Sequence, residues 1–130
     1  NGRIGLFIAD VADKGVPAAL FMALTRTLVR AAVLETESPA VALARVNELL
    51  IPDTRQGMFV TGVYAVLDTG SGELTYVNAG HNPPIWVKPD GSLEKLTALP
   101  LPSAFLRTTL WSRRRSSCLQ VIIFFSTPTA

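Results

Sequence analysis

The chain has one cysteine in 130 residues, so no internal disulfide framework can form. A lone thiol fits a reducing compartment, and a cytoplasmic protein is expected. No secretory leader opens the sequence, and no apolar run reaches the about 18 residues that a membrane helix needs, so no membrane association is expected. Cys118 has no His or Asp partner that can be placed beside it, which leaves it without an assigned role. Acids are missing altogether from residues 103–130, which hold Arg107, Arg113, Arg114 and Arg115. Without those four, eight basic residues face ten acidic ones, a net of −2 for residues 1–102. The overall charge of +2 therefore belongs to the tail, and the body gives no reason to infer nucleic-acid binding. There is no internal repeat, and the chain opens without Met inside a strand pattern, as a piece of something longer would.

What is present suffices for one domain with a core: 130 residues, 48% of them hydrophobic. Asn1-Gly2 reads as a hairpin tip feeding a strand from Arg3 to Ala9. A helix is expected from Val16 to about Leu34, with Leu20, Leu24 and Leu28 beside Phe21 as its core face and Thr25, Arg26 and Arg30 on the wetter side. Ser38-Pro39 starts a second helix, capped by Ser38, with Leu43, Val46 and Leu50 inward. After a loop at 52–57, strands follow at 59–67 and 73–78 around the turn Asp68-Thr69-Gly70-Ser71-Gly72, then at 85–87 and 93–96 around a second turn. One strand, two helices and a run of antiparallel strands make an α+β layered domain rather than alternating βαβ units.

The stretch GLFIADVADKGVPAA, from Gly5 to Ala19, organises this plan. An apolar run ends in Asp10, a polar Gly-bearing turn follows, and Pro17 stands near a helix start. Taken alone, an Asp at the end of a strand serves a turn or a helix cap. Gly15 supplies a backbone conformation that other residues resist, and Asp13 and Lys14 read first as solvated side chains, with adjusting a metal open to Asp13 and meeting a phosphate open to Lys14.

Two blocks, Asp10-Val11-Ala12-Asp13-Lys14-Gly15 with Ala18-Ala19, and Phe59-Val60-Thr61 followed by Gly72 to Pro84 with Asn78-Ala79-Gly80-His81, resemble the sigma-factor-regulator and sporulation-stage-II-E type serine phosphatases, a branch of the metal-dependent protein phosphatases. Asp13 departs from a common form of that pattern, which has Gly there. The resemblance covers roughly residues 1–101 and implies part of a four-layer αββα sandwich, two antiparallel sheets flanked by helices. It also implies hydrolysis of phosphoserine on a regulatory protein of the anti-sigma-factor antagonist type, by a water activated between two Mg²⁺ or Mn²⁺ ions. Asp10 would ligate both ions through its carboxylate and Val11 one of them through its carbonyl, the hard oxygens these cations prefer. His81 has metal or acid–base duty open to it but reads first as structural, and Asn78 and Gly80 as shaping a loop near the site. A sensor or receiver domain is expected elsewhere in the full-length chain. The alternative is an inactive phosphatase-like module that binds a partner protein.

The resembled site draws acids from three places, and only the Asp10 block is present. Residues 102–130 do not match and are expected to be a frameshift product. Taking the third base of each codon with the first two of the next, Gln120 to Ala130 permits the reading Gly-Asp-Tyr-Phe-Phe-Leu-Tyr-Thr-Asp-Gly, which carries the missing block. The coding DNA decides between this and a divergent natural segment: the silent positions of those codons either spell that block in the neighbouring frame or do not. Under the frameshift the arginine cluster carries no function. With one acidic block, weak metal binding and little turnover are expected of the chain as it stands.

Overall fold

The computed structural model describes residues 2–53, 58–97, 106–109 and 121–122. In chain order the elements are β1 (Arg3–Val11), α1 (Gly15–Glu35), α2 (Pro39–Leu50) with a 3₁₀ turn at Ile51–Asp53, β2 (Val60–Asp68), β3 (Glu73–Ala79), β4 (Ile85–Val87), β5 (Leu93–Lys95), β6 (Leu106–Thr109) and β7 (Val121–Ile122). They form a mixed helix and antiparallel-sheet domain with two sheets, ordered β1-β2-β3-β6 and β5-β4-β7. The α+β layered expectation holds. β6 and β7 fall in the stretch expected to be a non-matching tail, and they pair with β3 and β4.

β1 extends two residues past its expected end, so Asp10 and Val11 lie inside the ladder, opposite Thr61 and Val60 of β2. Side chains alternate across a strand, and the first sheet uses both faces. On one, Phe7, Val11 and Val60 pack with Phe21, Val29, Ala32, Ala42, Val46, Leu50 and Met58, the core under the two helices. On the other, Leu6, Ala65, Leu67, Leu74 and Tyr76 meet Trp86 of β4 and Leu96 beyond β5. The layers are thus helices, sheet, sheet, three of the four in the expected sandwich.

The α1 stripe is a correction to the sequence reading. Its buried residues are Ala18, Phe21, Thr25, Val29 and Ala32, spaced three and four apart. Of the residues expected on its core face, Phe21 is buried and Leu28 packs against the same cluster, whereas Leu20 is 66% exposed and Leu24 36%. Three leucines at a strict spacing of four drift around a helix of 3.6 residues per turn, whereas alternating threes and fours hold one face. Thr25, expected on the wet side, is only 2% exposed. Its hydroxyl donates to the Phe21 carbonyl at 2.8 Å, which satisfies it within its own helix and lets its methyl join the core. α1 is also, by length and composition, long and apolar enough to cross a membrane, against the expectation that nothing is; its buried stripe packs on α2 and β1, as the core helix of a layered domain does.

The second helix follows the reading closely. Ser38 Oγ accepts from the Val41 amide, and Pro39 takes the first helical position, where its missing N–H costs nothing. The β2–β3 turn is set by Asp68, whose Oδ1 accepts from the amides of Ser71 and Gly70 at 2.9 Å. Those two bonds hold its carboxyl below the usual range.

Candidate functional site

Asp10 stands on the face of β1 that carries Leu6 and Ile8, the face covered by the second sheet, at the end of the strand where that cover stops. Its side chain is exposed, and it has no hydrogen-bond or ion-pair partner among the described residues. An acid kept free at the edge of an apolar layer is available to a ligand. The chain then leaves β1 through a fixed turn: the Ala12 amide donates to the Phe59 carbonyl at 2.9 Å, and the Asp13 amide to the Val11 carbonyl at 2.8 Å. That bond uses one lone pair of the Val11 oxygen and leaves the other. Gly15 takes φ +80, as its place in the turn leads one to expect. Asp13 is exposed, and its Oδ1 accepts from the Lys14 amide at 2.7 Å. Lys14 is exposed at the N-cap of α1 with no side-chain cap.

From the other side, β2 and the link after β3 close on the same corner. Asn78 uses both ends of its carboxamide on one residue: Oδ1 accepts from the His81 amide at 2.8 Å, and Nδ2 donates to the His81 carbonyl at 2.9 Å. Gly80 between them has φ +73, a conformation side chains resist. The His81 ring is thereby set with Nδ1 3.0 Å from Thr61 Oγ1. The structure therefore brings Asp10, Thr61, His81 and Asn78 to one end of one sheet face. Thr61 was missed in the sequence; its only signal was its place in the second motif block, because its pairing partner Asp10 stands 51 residues away.

The donor chemistry at this corner fits a share of a divalent-ion site: one free carboxylate and one carbonyl lone pair, both hard oxygens. It does not complete one, since among the described residues no group of three or more His, Cys, Asp or Glu side chains could hold a metal. The polar cleft lined by Arg3, Glu37, Asp68, Ser71 and Glu73 lies at the opposite end of β1. Arg3 there pairs with Glu37 at 3.1 Å, an exposed contact that contributes little and reads as surface structure.

Comparison with known proteins bears on this corner. The family described as Stage II sporulation protein E matches residues 1–109, past the Leu101 boundary read from the motifs. The chain is similar to the phosphoserine phosphatase RsbU of Bacillus subtilis, 32% identical over 80 residues, which are 62% of this chain and 24% of that protein. Among solved structures it is similar to the RsbU and RsbW domains of a Mycobacterium tuberculosis protein, with a TM-score of 0.66 and 29% identity over 82% of this chain and 32% of that one. The PP2C phosphatase domain of SpoIIE from Bacillus subtilis has the same fold, with a TM-score of 0.66 at 17% identity, covering 82% of this chain and 32% of that one. The chain spans from about a quarter to a third of these relatives.

Proposed function

The chain belongs to the stage II sporulation protein E family, related to PP2C-type serine phosphatases, and on that premise we propose that it is part of a protein-serine phosphatase domain acting on a phosphoserine regulatory protein of the anti-sigma-factor antagonist type. The observation that carries this reading is the Asp10 carboxylate, free and exposed at the rim between two sheets. Asp10 and the Val11 carbonyl would hold Mg²⁺ or Mn²⁺, with the remaining acids supplied from outside the described residues. Bound divalent ions supply charge stabilisation for in-line attack of water on phosphorus. The part of this chain is to present the carboxylate at a fixed point, through the β1–β2 register and the Ala12–Phe59 bond, and to keep the apolar side of the corner dry with Ile8 and Val63. No side-chain nucleophile is required, and Cys118 lies outside the described residues.

A chimera tests the proposal: residues 1–97 take the place of the matching segment of Bacillus subtilis RsbU, and Mn²⁺-dependent phosphate release from a phosphoserine protein is measured. Turnover is the expected result. A folded chimera with no turnover favours the second reading, a phosphatase-like binding module.

A further inference from the structure

We propose that Asn78, His81 and Thr61 form a positioning chain whose last link, the Thr61 hydroxyl, orders the end of β1 that carries Asp10; the inference rests on reading Asp10 as a metal ligand. The side-chain links run from Asn78 through His81 to Thr61, and the step from Thr61 to Asp10 is their register pairing across β1 and β2. Asn78 spends its whole carboxamide fixing the backbone of His81, through bonds of 2.8 and 2.9 Å. That fixes a ring, and the ring's Nδ1 stands 3.0 Å from the Thr61 hydroxyl. Thr61 is the register partner of Asp10, and directly opposed residues on one face have Cβ atoms about 4.5–5.5 Å apart.

The distribution of polarity points the same way. Across β1, β2 and β3 the shared face is apolar along Leu6, Ile8, Val63, Ala65, Leu74 and Tyr76, and turns polar at the Asp10 end. There Thr61, Asn78 and His81 are half-buried and tied to one another, while the Asp10 carboxylate at the same end of the face is left free. A cap on the sheet needs no such arrangement, because a Val at 61 would fill the same space. A hydroxyl held by a ring offers its remaining hydrogen-bonding capacity in a set direction, and groups that orient a ligand residue in this way are worth about 10–100-fold in metal affinity.

Mn²⁺ is the probe, and paramagnetic broadening of backbone amide signals in the 130-residue chain is the readout. Broadening is expected to centre on Asp10 and Val11 in the wild type and to vanish in Asp10→Asn. Thr61→Val keeps the shape and loses the hydroxyl; Thr61→Ser keeps the hydroxyl and loses the methyl. We expect at least about tenfold weaker Mn²⁺ binding in Thr61→Val and a change within about twofold in Thr61→Ser. The His81 ring-nitrogen signals should move in the first and stay in the second. The same amide spectrum reports folding, and should Thr61→Val fail to fold, His81→Phe is expected to show the tenfold loss in its place. The reverse order of Val and Ser, or equal affinity in all three, overturns the positioning chain. Broadening lost in Asp10→Asn but kept in Thr61→Val leaves the metal reading standing and removes this inference alone. No broadening at Asp10 in the wild type removes both.

Discussion

Asp10→Asn in the RsbU chimera is expected to cut Mn²⁺-dependent phosphoserine hydrolysis by at least about a hundredfold, the scale of losing one preorganised electrostatic contact to a reacting group. In the 130-residue chain the same change is expected to leave unfolding stability within about 0.5 kcal/mol, the usual range for a surface substitution that breaks no contact. The two halves belong together. Asn is nearly isosteric with Asp, so it keeps the strand and its pairing with Thr61. Asp10 has no partner among the described residues to lose, and its exposure means no buried charge is relieved. What the substitution removes is a negative charge facing outward from the rim of the sheets. Turnover assays over a Mn²⁺ series, with urea unfolding of the chain, read both numbers. Activity in the Asn chimera close to that of the Asp form would end the metal-ligand assignment. A large stability loss with it would mean that Asp10 is a structural residue of the turn.

The strand–turn–helix unit was legible because each part has a local cause: the apolar run of β1, Gly15 where φ is positive, Ser38 at the cap of α2, Asp68 folding the hairpin. Local rules did not reach which side of α1 is buried. Leucine is the more hydrophobic residue, but Leu20 and Leu24 face outward while Ala18 and Thr25 face in. The interior there is a close approach between layers, where small side chains fit and a threonine is admitted once its hydroxyl is satisfied by Phe21. The site was legible in part for the same reason. Asp10 and Asn78 stand in local motifs, whereas the contact that joins their surroundings, His81 to Thr61, depends on β2 and β3 pairing in one register. A shift of one residue there would turn Thr61 to the other face, and nothing in the sequence near Thr61 records which register is chosen.

Phe21→Ala is the substitution expected to cost the most stability, about 3–5 kcal/mol from lost transfer and the cavity left behind. Phe21 is buried in one cluster with Val29, Ala42, Val46, Leu50 and Met58, against which Phe7 and Val11 pack. Against a total of about 5–15 kcal/mol for an ordinary domain, the loss leaves a large fraction unfolded at room temperature only where the total lies near the lower end of that range. Leu20→Ala, one position away, is expected to change stability by no more than about 0.5 kcal/mol, because Leu20 is already in solvent. Thermal and urea unfolding followed by circular dichroism compare the two. If they cost the same, the buried stripe of α1 is misassigned. The consequence also reaches the site. Phe7 and Val11 flank Asp10 on the same strand but point to the helix side, so the packing of Phe21 holds the very segment whose opposite face presents the carboxylate. Phe21→Ala should therefore weaken Mn²⁺ broadening at Asp10 even in the fraction that stays folded, whereas Leu20→Ala should leave it unchanged.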